Sequence, residues 1–364
     1  MEILLGLLII AVGAFCQSSS YVPINKIKDW SWESYWLVQG VFAWLVLPFL
    51  GMLLAVPEGH SLTEMFAAAP SFNIAMTVFF GLLWGIGGLT FGLSMRYLGV
   101  ALGQSIALGT CAGLGTIMGP VLLNIFFPEM NALSSLTAAV LIGVAVTLVG
   151  IAIIGVAGKM KADSLSDEQK KEAVRDFNFP KGIVIALLSG FMSGCFNVGL
   201  EFGKGINFGD MTPDMFKTLP ATFLVTLGGF FTNAVYCFWQ NHKNNTWSDY
   251  RKGNVWANNL LFCILAGALW YSQFFGLSLG KGFLTSSPTL MTLSFCILMA
   301  LNVTFSNVWG IILHEWNGCS RKTVTVLIAG IVVLIVSCFL PQRRYVPLFK
   351  SLKKGLSHII TLAG

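Results

Sequence analysis

Residues 134–157 read SSLTAAVLIGVAVTLVGIAIIGVA, and residues 158–180 that follow read GKMKADSLSDEQKKEAVRDFNFP. The first run has 24 residues and no charge, while one helical crossing of a hydrocarbon core takes about 20 apolar residues. The second carries ten charged side chains, from Lys159 to Asp176. A helix leaving lipid for water predicts this change of composition. Outward from this junction the alternation recurs along the chain. Ten runs hold no Asp, Glu, Lys, Arg or His: residues 3–22, 35–56, 73–95, 98–127, 134–157, 182–200, 218–240, 257–280, 288–312 and 323–340.

Every charged side chain lies between or beyond these runs. Only 10% of the 364 residues are charged and 55% are apolar, against roughly 25% charged in soluble domains, which excludes an ordinary water-soluble enzyme. Lipid leaves helices and closed barrels as the spanning structures, and barrel strands alternate over about ten residues instead of running continuously apolar. The expected fold is an all-α membrane protein of ten transmembrane helices. No basic stretch precedes the first run and no small-x-small cleavage pattern closes it, so it reads as a permanent helix and not a secretory leader.

Chemistry-bearing motifs are scarce. The eight Cys are scattered, without Cys-x-x-Cys or Cys/His metal spacing. Gly276-Leu277-Ser278-Leu279-Gly280 matches G-x-S-x-G, but that nucleophile elbow needs a strand-turn-helix and this copy lies in a helical run. No phosphate loop, dinucleotide fingerprint or His-Glu-x-x-His occurs. The expectation is a protein that is not an enzyme and uses no cofactor or metal.

With the N-terminus outside, the interior connectors hold 14 of the 22 Lys and Arg, so the positive-inside rule predicts that both termini face outward. The net charge of +6 then reflects topology and calls for no nucleic-acid partner. The charged connector 158–181 divides the runs five and five. An odd number per half means that two copies of one unit would lie in opposite orientations, the inverted-repeat plan of many secondary transporters. Phe91-Gly92-Leu93-Ser94 in the third run returns as Phe275-Gly276-Leu277-Ser278 in the eighth, the equivalent place. The expected organisation is 1–157 as the first five-helix repeat, 158–181 as connector, 182–340 as the second repeat and 341–364 as a basic tail, in which a short surface helix is one reading.

The polar residues inside the runs indicate a solute. Ser189, Ser193, Asn197 and Glu201 recur every four residues, on one helical face. Gln17 and Tyr21, Gln104, Ser272 and Gln273, and Asn302 and Ser306 add neutral groups from other helices. A single intramembrane amide is usually an interhelical hydrogen bond worth about 0.6 kcal/mol, but amides on several helices predict a shared cavity. Trp30, Trp32, Trp36, Trp239, Trp247, Trp256 and Trp316 stand near run ends, where indoles anchor at the interface, whereas Trp44, Trp84, Trp270 and Trp309 lie deeper. Indole faces could stack on the C–H side of a sugar while amides bind its hydroxyls. Charge-free runs favour a neutral, hydroxylated solute over an ion. Glycines from Gly99 to Gly119 before Pro120 make the fourth run smooth and bendable.

Lys26-Ile27-Lys28-Asp29-Trp30-Ser31-Trp32-Glu33, Trp84-Gly85-Ile86-Gly87, Gly92-Leu93-Ser94-Met95-Arg96-Tyr97-Leu98-Gly99, Trp270-Tyr271-Ser272-Gln273-Phe274-Phe275 and Glu315-Trp316-Asn317 resemble, in order, the bacterial L-rhamnose-proton symporters of the drug/metabolite transporter superfamily. The resemblance covers nearly the whole chain. It implies ten helices in two inverted repeats around a central cavity, in the bacterial inner membrane, importing sugar with a proton. The chain departs from the family pattern at Gly88, Thr90 and Phe91, at Glu201, and from Thr285 to Thr289. The residues expected to bind substrate are Gln17, Trp84, Gln104, Asn197, Trp270, Gln273 and Asn302. Glu201, at the end of the polar stripe, is the expected proton-coupling carboxylate, with Lys204 beside it as a competing ion-pair partner. The expected partners are a small neutral sugar, a proton and the lipid bilayer. The rival reading is an uncoupled facilitator or exporter of another small metabolite.

Overall fold

A computed structural model of the chain describes residues 2–98, 100–164, 179–314 and 316–340. Ten helices in it are long and apolar enough to cross a membrane: α1 Glu2–Ser19, α2 Trp32–Leu53, α3 Ser71–Leu98, α4 Val100–Phe126, α5 Ala138–Asp163, α6 Phe179–Gly203, α7 Leu219–Asn244, α8 Gly253–Gly282, α9 Pro288–Ile312 and α10 Arg321–Phe339. Each coincides with one charge-free run, and no strand occurs among the described residues. The chain is a multi-pass membrane protein. Arg96, Glu315, most of the charged connector and the tail 341–364, singled out in the sequence, lie outside the described residues or have undescribed side chains.

Each helix satisfies its own backbone, as lipid demands, and its first turn where a side chain can reach. Thr137, Ser287 and Ser320 accept from the N–H groups of Val140, Leu290 and Thr323 to start α5, α9 and α10. Leu4, Leu8 and Val12 of α1 are exposed, whereas Leu7, Ile10 and Ala14 on the other side are buried; in a bilayer the first set meets lipid tails. α2 is not uniform. Pro48 cannot donate to the carbonyl one turn back, and residues Val41–Val46 just before it form a widened π-type turn of the kind that absorbs such a mismatch.

Helices meet where glycine removes the side chain. A Cβ on Gly81 of α3 would lie 2.2 Å from the Val225 carbonyl oxygen of α7, and one on Gly228 would lie 2.3 Å from that of Val78. Gly6 and Gly280 join α1 to α8 in the same way, and Gly115 and Gly194 join α4 to α6. Without a hydrophobic drive between helices in lipid, such backbone approach supplies dispersion contact over a long line.

The pairings have a regularity. α1 packs on α8 and α9, as α6 packs on α3 and α4; α2 packs on α8, as α7 packs on α3; α4 packs on α5, as α9 packs on α10. α3 packs on α4, as α8 packs on α9, and the pairs α2·α7, α4·α9 and α5·α10 join the two halves. Exchanging the first five helices for the last five preserves these pairings, whereas α5·α9, α6·α7 and α7·α8 have no counterpart of comparable extent.

At the end where α1 finishes, the α1–α2 connector is fastened to the α7–α8 connector. The Asp249 carboxylate accepts from the Ser31 N–H and hydroxyl, both at 2.8 Å, from the Ser34 hydroxyl at 2.9 Å and from Lys252 Nζ at 2.6 Å. Asn259 both donates to and accepts from the Lys28 backbone. Glu33 is buried and accepts from Asn244 and Thr246. Burial pushes the Asp249 carboxyl upward, but the bonds from Lys252, Ser31 and Ser34 more than offset it and hold it below its ordinary value. A depressed folded value means that the carboxylate's contribution is full above the unfolded pKa, about 3.9, and is lost as pH falls through the lower folded value. Thermal unfolding in detergent is therefore expected to show wild type losing stability below about pH 4. Asp249→Asn should be less stable at neutral pH and nearly flat across that acid window.

Candidate functional site

A cavity of about 160 Å3 lies in the middle of the bundle. One water occupies about 10–15 Å3 of such space, so it takes on the order of ten to fifteen non-hydrogen atoms, the scale of a monosaccharide. Its lining comes from α1–α4, α6–α9 and Tyr21 just after α1, with nothing from α5 or α10. No Asp, Glu, Lys, Arg or His is among the lining residues.

Indoles form one wall. Trp44, Trp84 and Trp270 meet pairwise with ring centroids 5.7 to 6.0 Å apart, Trp44 standing edge-on to the other two. The arrangement suits ring quadrupoles. Trp44 owes its place to the widened turn before Pro48 and to Gly40, where a Cβ would come 2.6 Å from the Trp44 ring. Trp36 continues the wall at 5.5 Å from Trp44, and its Nε1 donates to Asn233 Oδ1 at 3.0 Å. Asn233 in turn donates to the Gly229 carbonyl.

Amides face the indoles. Asn302 Nδ2 donates to Gln273 Oε1 at 2.9 Å, linking α9 to α8, and Gln273 Nε2 donates to the Trp270 carbonyl at 3.2 Å. Asn302 Oδ1 and Trp44 Nε1 are buried without a protein partner. A buried polar atom left unpaired costs about 1–3 kcal/mol, so an acceptor and a donor with unused capacity at a cavity wall are suited to a guest's hydroxyls.

The cavity has a floor and a direction. Phe196 and Phe274 stack at 3.8 Å, and Phe295 joins them in the lining. These rings sit about two turns from the C-termini of α6 and α8 and the N-terminus of α9, the end of the bundle where the chain begins. Beyond them Gly6, Ile10 and Gly280 close α1 onto α8. The cavity reaches the other way, to Gln17, Trp36 and the half-exposed Tyr21.

Six of the eight singled-out residues line this space: Gln17, Trp84, Gln104, Trp270, Gln273 and Asn302. Asn197 and Glu201 do not. Asn197 is turned to α4, donating to the Gly115 carbonyl at 2.8 Å, and the Glu201 stem lies against Gly119. The polar stripe of α6 thus divides: Asn197 and Glu201 lie along glycines of α4, Ser189 donates to the Gly87 carbonyl of α3, and Ser193 alone reaches the cavity. The Glu201 carboxylate sits beyond the floor, 3.4 Å from Lys204 Nζ. Trp309, read as deep, ties α9 to α1 through Ser19. Sequence reading passed over Trp36 and Asn233: the first stands at a run end, and the second is an isolated amide whose only cue was a charge-free run.

Relatives carry the same length of chain. The sequence is 31% identical over 342 residues to the L-rhamnose-proton symporter of Cronobacter sakazakii, covering 92% of this chain and 96% of that protein. It is 30% identical over 348 residues to the L-rhamnose-proton symporter of Yersinia pestis, with the same coverage. The model of the L-rhamnose-proton symport protein family matches residues 1–341, which include all ten helices and every residue of the cavity. With its transmembrane bundle and uncharged central cavity, the chain belongs to the L-rhamnose-proton symport protein family.

Proposed function

We propose that this chain imports a neutral deoxysugar, L-rhamnose or a close relative, together with a proton across the bacterial inner membrane by alternating access. The observation that carries the reading is the central cavity: monosaccharide-sized, walled by indoles on one side and amides on the other, and free of charged side chains. Trp84 and Trp270 take the apolar face of the sugar, and Gln17, Gln104, Gln273 and Asn302 bind its hydroxyls. Asn197 acts from behind the floor, fixing α6 to α4. Two wall positions, Gly88 and Phe91, are among those at which the chain departs from the family pattern, so they bear on which deoxysugar fits best.

Both termini face outward in this reading, as the Lys and Arg distribution predicts. The floor then seals the outer side and the cavity reaches inward. The pairings preserved on exchanging the two halves, α1·α8 with α6·α3 and α2·α8 with α7·α3 among them, support two five-helix repeats of opposite orientation, with α5 and α10 outside the moving core. Such repeats rock against each other around a fixed site.

A proton entering down a 100 mV potential supplies about 2.3 kcal/mol, enough for roughly fifty-fold accumulation. Glu201 is the proposed proton-coupling carboxylate, at the closed end and a quarter exposed. In proteoliposomes, an inward proton gradient should drive L-rhamnose accumulation in wild type, and Glu201→Gln should reduce it at least tenfold. Uptake that ignores the gradient in wild type would make the chain a facilitator.

A further inference from the structure

Lys281 lies in the last turn of α8, near the sealed end. It is only 8% exposed, and among the described residues its ammonium makes no hydrogen bond and has no carboxylate within 4.0 Å. A lysine is almost never buried this far without a partner, because an ammonium removed from water costs several kcal/mol unless a counter-charge offsets it. Its surroundings are packed: Gly280 meets Gly6 and Ile10 of α1, Gly282 meets the Met215 backbone, and Ser278 one turn earlier is bonded to Thr218. The groups that act on it electrostatically are Glu201 of α6 and Lys204 just after it. Lys204 already occupies Glu201 at 3.4 Å, and Asp214 in the connector before α7 is taken by Lys217 at 2.6 Å. α1 offers only the exposed Glu2, and the first turns of α9, Pro288 to Ser294, contain no titratable group.

No group within hydrogen-bond reach compensates a charge on Lys281 in this conformation, and Glu201 acts on it only from beyond 4.0 Å, yet opening the sealed end would wet it. We propose that Lys281 carries a proton in the transport cycle: its amine binds one from the outer medium when that end is open and gives it up to the Glu201 carboxylate, the coupling group proposed above, as the end closes over it. The proposal rests on the symport reading above and adds the group that feels closure most directly.

Three variants test it in proteoliposomes, scored by sugar exchange without a gradient and by accumulation under an imposed proton gradient. Lys281→Gln cannot take the proton, and Lys281→Arg cannot release it, since a guanidinium stays charged. Lys281→Gln is expected to keep exchange within about threefold of wild type while accumulation falls from roughly fifty-fold to no gradient; Lys281→Arg, whose fixed charge resists closure, is expected to lose exchange and accumulation together. Lys281→His, which titrates near neutrality, is expected to restore accumulation with a shifted pH dependence. Full accumulation by the Arg variant would overturn the proposal, because a permanent positive charge would then suffice. Full accumulation by the Gln variant would overturn it too, as would loss of exchange in all three, which marks a packing residue. Wild type unable to accumulate sugar would remove the symport reading itself; wild type accumulating while the Lys281 variants behave like it removes this inference alone.

Discussion

Asn302→Ala is expected to weaken sugar binding about 10- to 100-fold while leaving a folded transporter. The substitution removes the Oδ1 that has no protein partner and also the donor to Gln273 Oε1 at 2.9 Å. Gln273 is 3% exposed, so its oxygen is then stranded as well. Each such loss costs about 1–3 kcal/mol, and every 1.4 kcal/mol is about tenfold in affinity. Titrating L-rhamnose against tryptophan fluorescence reads this directly, because four indoles line the same space. Unchanged affinity would place the sugar elsewhere.

Gly81→Leu should have the largest effect on the fold. A Cβ there would sit 2.2 Å from the Val225 carbonyl oxygen and 2.9 Å from its Cα, both backbone atoms that no rotamer change can move. α3 and α7 would have to separate along a line that includes Gly228 and Gly85, losing the bond from Thr232 to the Leu82 carbonyl and the support of Asn233 beneath Trp36. Overpacking costs 1–3 kcal/mol where side chains can shift, and here at least about 3 kcal/mol is expected. The readout is loss of the monodisperse peak on size exclusion and a fall in unfolding temperature. Gly92→Ala on the same helix is the control, since its Cβ would meet nothing within 4 Å.

The sequence was most informative where one physical requirement acts on each helix separately. A lipid-facing helix must be apolar along its whole length, so all ten spans were legible as charge-free runs and the connectors as charge. What needs knowledge of neighbours was less legible. Asn197 and Ser193 share one face of α6, but only Ser193 reaches the cavity, because α4 presents Gly115 to Asn197 and nothing in α6 encodes that. Trp36 looked like an interfacial anchor from its position near a run end. It lines the cavity because the space extends to that end and because the widened turn before Pro48 turns this side of α2 inward. Lys281 was counted as a connector charge one residue past a run, and only the packing of α1 over Gly280 buries it. Periodicity fixes which residues share a face; close approach at glycine decides which face meets which.

The central claim is that the uncharged cavity of indoles and amides is where the sugar rests. An experimental structure of the protein with L-rhamnose bound tests it most directly. The account predicts the sugar above the Phe196–Phe274 floor, its apolar face on the Trp84 and Trp270 indoles and its hydroxyls within hydrogen-bond reach of Asn302 and Gln273. A sugar bound outside that cavity, or lodged among charged side chains at the sealed end, would contradict it.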